Sequence, residues 1–166
     1  VRAHRLIGYE NRVLADRDFK DDKKDAGEIG AGHQVTALYE IVPAGVRFTQ
    51  AEDLSLKYQT TNESLSAAAR GDELMTVKLR YKAPSGKTSR EISFPVAESD
   101  QPFAKASEDF RFVSAVAAFG MKLQGSPHAG NASRTDILAW AKSSRGKDPF
   151  GLKKEFTELV RESSKL

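Results

Sequence analysis

The chain has 166 residues, of which 39% are hydrophobic and 30% are charged, and its formal net charge is +3. This length and composition predict a globular protein with a substantial core and exclude a disordered chain. The 26 Lys and Arg residues interleave with the 23 Asp and Glu residues, so no basic stripe favours a nucleic-acid partner. Cysteine is absent, which excludes disulfides, thiolate metal ligands and cysteine nucleophiles.

The start of the sequence has neither an initiator Met nor a signal peptide. No apolar run approaches the roughly 18 residues that a membrane span requires, so we expect no direct membrane insertion by this chain. Because Val1 leads directly into a strand-like pattern, we expect the sequence to be part of a longer chain. A first strand that enters in this way leaves an open sheet edge, which predicts self-association between edge strands of two copies.

The first hundred residues carry the alternating apolar and polar pattern of β-strands. Strands are predicted at residues 4–13, 33–42, 53–59, 73–82 and 88–96. The segment between the last two contains Pro84 and Gly86 and is typical of a turn, so these strands form a hairpin. The tyrosines fall one per strand and are predicted to be core aromatics rather than a ligand surface. The four are Tyr9, Tyr39, Tyr58 and Tyr81.

Helical signals begin near residue 102. Ser107 is predicted to cap a largely buried helix that ends before Gly125. Ser133, with Asp136 three residues later, forms a capping-box pattern at the start of a second helix. Asp148 and Pro149 are predicted to start a third helix, since Pro is favoured at the first helical position. Its predicted apolar stripe is Phe156, Leu159 and Val160.

Strands followed by helices predict an α+β fold, with an antiparallel β-sheet or sandwich at about residues 4–97 and three helices at about 107–163. We interpret residues 1–166 as a single domain with a β-rich subregion, 1–100, and a helical subregion, 101–166. The helical subregion is predicted to pack at one side or end of the sheet.

The polar stretch of residues 16–32 is the main candidate for a partner-binding loop. Its acidic candidates are Asp16, Asp18, Asp21, Asp22, Asp25 and Glu28. Counted from Asp16, the EF-hand pattern fails, because Lys20 stands at a ligand position and Gly27 replaces the bidentate Glu. An irregular divalent-cation site and a solvated loop with local ion pairs both stay open. The glycines of GEIGAG, residues 27–32, do not precede a helix, so they are predicted to turn the loop rather than bind phosphate.

No residue pattern indicates catalysis. His4, His33 and His128 are the only histidines, and none has a second histidine or a cysteine at metal-binding spacing. No GxSxG elbow is present. We therefore expect a protein that is not an enzyme, with no catalytic, cofactor-binding or metal-ligating residues and no cofactor.

Five segments of the chain carry a family resemblance. They are RLIGYENR (5–12), DFKDDKKDAGEIGAGHQVTALYEIVP (18–43), LKYQ (56–59), LMTVKLRYK (74–82) and ASEDFRFVSAVAAFGMKL (106–123). These segments resemble the C-terminal domain of bacterial von Willebrand factor type A proteins of the YfbK type. The resemblance covers essentially the whole chain.

The resemblance implies an exported or lipid-anchored extracytoplasmic protein, in the bacterial periplasm or on the cell surface, in which a lipid anchor would belong to an N-terminal part. It implies a preceding von Willebrand A domain, whose metal-dependent adhesion site needs a D-x-S-x-S loop. The nearest approach here, residues 53–57, ends in Lys and lies on a predicted strand, so no metal residue transfers.

Two functional hypotheses follow from the sequence. The first is a non-enzymatic accessory domain that supports or orients the preceding A domain and contributes to interaction with an unidentified protein at the cell envelope. The alternative is an independent binding module that uses the loop at residues 16–32 to bind a partner or a divalent cation.

Overall fold

A computed structural model describes residues 1, 3–8, 18–24, 27–43 and 71–163 of the chain. The backbone contacts divide the chain into two compact units, Val1–Ser99 and Asp100–Leu166. Strands occupy the first unit and helices the second, so the predicted α+β fold is confirmed. The predicted strand at residues 53–59 lies outside the described residues.

The first sheet pairs β1, Ala3–Ile7, with β2, Leu38–Val42, in antiparallel register. Ala3 lies opposite Val42 and Ile7 lies opposite Leu38. The prediction that the second strand begins at His33 is wrong, since residues 33–37 are irregular. β1 ends at Ile7, because Gly8, with a φ of 76°, turns the backbone out of the strand conformation. Residues 9–13 of the strand predicted at 4–13 lie outside the described residues.

The second sheet is a hairpin of β3, Glu73–Tyr81, and β4, Arg90–Ala97. The connecting segment contains the predicted turn, in which the Gly86 N–H donates to the Ala83 carbonyl at 2.8 Å. In the register, Val77 lies opposite Phe94. The pattern of β3 and β4 therefore defined this hairpin and its turn correctly.

The apolar side chains of the hairpin are more exposed than the alternating pattern predicts. Tyr81 is 44% exposed, and Tyr39 on β2 is 52% exposed, so the prediction that these two tyrosines are core residues is wrong. The described strands form two two-stranded sheets, in which no third strand flanks these side chains. The predicted sandwich stays a prediction.

The second unit contains α1, Glu108–Leu123, α2, Arg134–Ser143, and α3, Leu152–Ser163, after a short 3-10 turn at Phe103–Lys105. The Phe110 N–H donates to Ser107 Oγ at 3.2 Å, which confirms the first N-cap. The predicted capping box is also present. Ser133 Oγ accepts from the Asp136 N–H at 3.1 Å, and Asp136 Oδ2 accepts from the Ser133 N–H at 2.8 Å.

A small hydrophobic core holds the three helices together. Its buried members are Phe112, Ala115, Ala118, Phe119, Ile137, Ala141 and Val160. The Phe156 ring contacts the rings of Phe112 and Phe119 edge-on, at centroid distances of 5.4 and 5.7 Å. Trp140 packs beside this core against Phe103, with the ring centroids 5.0 Å apart.

Three predictions about the helices need correction. α1 is not largely buried, because Phe110, Val116 and Leu123 are 48%, 41% and 61% exposed, on sides that no described helix covers. Leu159 is 57% exposed, since the buried side of α3 centres on Val160. α3 also begins later than Pro149, at Leu152.

Asp148 nevertheless caps α3, from outside the helix. Its two carboxylate oxygens accept from the Lys153 N–H at 3.1 Å and the Lys154 N–H at 2.9 Å. The intervening turn includes Gly151 at a φ of 71°, a left-handed conformation that glycine adopts at little cost. None of the helices described is long and apolar enough to cross a membrane.

Candidate functional site

Residues 18–24 are the first described stretch of the loop at residues 16–32, which we call the acidic loop, and they fold into two consecutive turns. The Asp21 N–H donates to the Asp18 carbonyl at 3.0 Å, and the Lys24 N–H donates to the Asp21 carbonyl at 3.1 Å. Asp21 Oδ1 also accepts from the Lys23 N–H at 2.9 Å. Asp residues favour such turns because their short carboxylates reach the backbone two residues on. Residues 18–24 are therefore locally structured despite their charge.

Arg80 of β3 holds this loop against the hairpin. One terminal nitrogen of its guanidinium donates to the Phe19 carbonyl at 2.8 Å, and the other donates to Asp22 Oδ1 at 2.9 Å. The guanidinium carbon also lies 5.9 Å from the centroid of the Phe19 ring, within cation–π range. The Arg80 side chain thus contacts the loop at three points: the backbone carbonyl of Phe19, the carboxylate of Asp22 and the ring of Phe19.

Lys82 and Ser89 of the hairpin also contact the loop. We call the whole set the loop–hairpin contact; its members are Phe19, Asp22, Arg80, Lys82 and Ser89. The Ser89 N–H lies 3.3 Å from Asp22 Oδ1 and 3.4 Å from Asp22 Oδ2, and the Ser89 hydroxyl donates to Oδ1. Lys82 Nζ donates to the Asp22 backbone carbonyl. Asp22 is therefore held through its side chain and its main chain.

The surroundings of Asp22 favour its ionised form. The hydrogen bond from the Ser89 hydroxyl lowers the pKa of the Asp22 carboxyl below its usual 3.8, assisted by the Ser89 N–H and the charges of Arg80 and Lys82. Desolvation opposes these effects but does not cancel them. The Arg80 and Asp22 side chains are 17% and 35% exposed, so solvent partly screens the ion pair.

The other acidic candidates that the structure describes do not converge on one point. Asp18 Oδ2 lies 3.6 Å from Lys24 Nζ, Asp21 belongs to the backbone turn, and Glu28 is exposed. Asp16 and Asp25 lie outside the described residues. Within residues 18–24, 27–43 and the rest of the described chain, no three His, Cys, Asp or Glu side chains are grouped as metal ligands.

The glycine-rich segment behaves as predicted, as a turning loop. Gly27 and Gly32 have φ angles of 101° and 78°, and no helix follows them. The His33 N–H donates to the Gly30 carbonyl at 3.1 Å, which closes a turn. A Cβ at Gly30 would lie 2.5 Å from His33 Nδ1, so a larger residue would displace the imidazole.

Sequence reasoning singled out Asp22 but missed Phe19, Arg80 and Ser89. Arg80 fitted the expected polar face of an amphipathic strand, and Ser89 fell at the end of a turn. The available signal was Phe19, a large aromatic residue inside a strongly charged loop. Such a residue indicates that the loop packs on something, but the sequence does not identify the contact.

The loop–hairpin contact should depend on pH. Because the folded pKa of Asp22 is lowered, its stabilising contribution is fully present above 3.8, the ordinary pKa. The contribution is lost as the pH falls through the lowered value. NMR titration should therefore show the Ser89 amide signal moving with a midpoint below 3.8, and Asp22→Asn should abolish that movement. A midpoint at or above 3.8 would contradict the assignment.

Comparison with known proteins identifies a family and a relative of this chain. Residues 1–166 match the family described as "Uncharacterized protein YfbK, C-terminal". The chain is 39% identical over 160 residues to "Uncharacterized protein YfbK" of Escherichia coli strain K12. This alignment covers 96% of the present chain and 27% of the E. coli protein, so the chain spans about a quarter of that relative. No solved structure matches it.

Proposed function

We propose, from the premise that this chain belongs to the YfbK C-terminal family, that it is a non-enzymatic accessory domain without a cofactor. It supports or orients a preceding von Willebrand A domain and contributes to protein–protein interaction at the bacterial cell envelope. Its location is extracytoplasmic, in the periplasm or at the cell surface. Its partners are this A domain and a further protein, and nucleic acid is not among them.

The loop–hairpin contact is the observation that carries this proposal. Asp22 and Arg80 are 58 positions apart, and their pairing joins the acidic loop to the polar face of β3. Charged groups used in this way position segments of the same chain and leave less hydrogen-bonding capacity for a ligand. The contact therefore fixes the position of the loop on the hairpin, and an accessory domain needs such a fixed surface.

The length of the E. coli relative favours an accessory role beside other domains. Most of the E. coli protein lies outside the part that this chain matches. A domain that occupies a minor share of a longer polypeptide has covalently linked neighbours at high effective concentration. Contacts with such neighbours form at modest interface areas, which suits an accessory domain.

An independent binding module is the second candidate, and the exposure of residues 27–37 favours it. All of these residues are exposed, and Ile29 and Val35 retain 64% of their accessible surface each. Exposed apolar side chains on a loop beside acidic residues suit a protein partner. The cation version predicts a binding heat with Ca²⁺ or Mg²⁺ in calorimetry, and the absence of both heat and thermal stabilisation would exclude it.

Deletion of residues 1–166 from a longer polypeptide, one that also contains the proposed preceding A domain, tests the accessory role. The melting temperature of the remaining A domain should fall by at least about 2–4 °C, the shift that roughly 1 kcal/mol produces in a domain of about 150–250 residues. The intact polypeptide carrying the exposed substitution Leu159→Ala is the control and should melt as the wild type does. An unchanged melting temperature after the deletion would overturn the proposal.

A further inference from the structure

The β3–β4 hairpin has an apolar face that the described structure leaves largely uncovered. We call it the apolar hairpin face, formed by Met75, Val77, Leu79 and Tyr81 of β3 with Ile92, Phe94 and Val96 of β4. The five residues at its centre and turn end are 38–54% exposed: Val77 38%, Leu79 49%, Tyr81 44%, Ile92 39% and Phe94 54%.

The seven side chains form one continuous surface. Cross-strand partners point to the same side of a sheet, and the register places Val77 beside Phe94 and Leu79 beside Ile92. The only charged side chain in these rows is Arg90, opposite Tyr81 at the turn end. A contiguous exposed surface of this kind marks an interaction site, whereas single exposed apolar residues do not.

The opposite face of the hairpin is already engaged. Arg80 there binds Phe19 and Asp22, and Lys78 lies 3.9 Å from Glu91. Polar contacts thus occupy one side of the two strands while the apolar side has no comparable partner among the described residues. This difference between the two faces indicates that the apolar face is the one available to bind a further surface.

The area of the apolar hairpin face limits the kind of partner that can cover it. Two strands about 4.8 Å apart, with four rows of side chains about 6.8 Å apart, present roughly 250–300 Å². A stable complex between separate molecules buries about 800 Å² per partner. A second copy bound through this face alone would therefore dissociate at ordinary concentrations.

We propose that the apolar hairpin face is covered by an apolar, weakly charged surface of the same polypeptide that lies outside these 166 residues. The similar E. coli protein extends well beyond the matched part, so this relative carries polypeptide outside the region that corresponds to the present chain. Covalent linkage supplies an effective concentration in the millimolar range, at which a face this small is sufficient. The inference rests on the proposed accessory function and identifies the surface through which it acts.

Photo-crosslinking of the longer polypeptide tests the proposal. Benzoylphenylalanine replaces Phe94 on the apolar hairpin face or, as the control, the neighbouring Ser93 on the opposite face. Mixing isotope-labelled and unlabelled protein separates crosslinks within one molecule from crosslinks between copies. We expect the Phe94 probe, but not the Ser93 probe, to crosslink within one molecule to a peptide outside residues 1–166.

Each other outcome overturns the proposal. A crosslink to residues 1–166 of the same molecule would place the occupant inside this chain. A crosslink between copies would identify a self-association surface, and no crosslink would leave the face in solvent.

A second measurement avoids the bulky probe. Because the chain lacks cysteine, Leu79→Cys and Ser93→Cys each place one thiol in this region of the longer polypeptide. Modification by a maleimide, followed peptide by peptide in a mass spectrometer, should be at least about tenfold slower at position 79 than at 93. Equal rates would overturn the inference. If the deletion described above still destabilised the A domain, the accessory function would survive and only this choice of surface would fail.

Discussion

Replacing Ile137 with alanine is expected to lower the free energy of unfolding of the helical unit by about 2–5 kcal/mol. Ile137 is fully buried, and it belongs to the core that Phe119 and Val160 also form. The substitution removes methylene and methyl groups and leaves a cavity that the neighbouring rings fill only in part. Urea unfolding, followed by the far-ultraviolet circular dichroism of the helices, measures the change.

Leu159→Ala is the matched control, because it removes a similar volume from an exposed position. Leu159 lies on α3 next to buried Val160 but is itself 57% exposed. Substitutions at such surface positions change stability by about 0.5 kcal/mol or less. If the two variants lost equal stability, the assignment of Ile137 to the core would be wrong.

Replacing Arg80 with methionine is expected to release the acidic loop from the hairpin. The change removes the hydrogen bonds to Phe19 and Asp22 while keeping much of the apolar length of the side chain. Trypsin cleaves after Lys20, Lys23 and Lys24, so brief digestion reports on the loop. We expect the initial cleavage rate there to rise about tenfold, because charge-assisted hydrogen bonds that resist local opening are lost.

Lys78→Met provides the control for this experiment. Lys78 lies two residues from Arg80 on the same face of β3, but its Nζ lies 3.9 Å from Glu91 Oε1 of β4, within the hairpin. The substitution removes the same unit of positive charge without touching the loop. Equal acceleration of cleavage in both variants would show that net charge, rather than the Arg80 contact, holds the loop.

Local sequence chemistry predicted the helical unit well. Ser107, Ser133 and Asp136 each form the capping bond that their position predicted, because such bonds join residues two or three positions apart. Asp148 also caps a helix, although the start of α3 was placed too early. A Pro after a capping residue marks the neighbourhood of a helix start, but the turn through Gly151 delays the helix itself.

Contacts between distant residues were not predictable from one sequence. The alternation in β3 correctly separated Leu79 from Arg80, yet it contained no information on what covers either side. Arg80 binds a loop 58 positions away, and Leu79 and Tyr81 remain exposed where burial was expected. An alternating pattern defines two faces, and the burial of each depends on partners elsewhere in the chain or beyond it.

The packing of Trp140 against Phe103 gives the protein a built-in optical reporter. Trp140 is the single tryptophan of the chain and lies in the unit Asp100–Leu166, whereas all four tyrosines lie in Val1–Ser99. Indole fluorescence, excited where phenols do not absorb, therefore follows the helical unit alone. Tyrosine absorbance follows the strand-containing unit in the same sample. Whether the two units unfold in one cooperative transition or in two can thus be measured on unlabelled, unsubstituted protein.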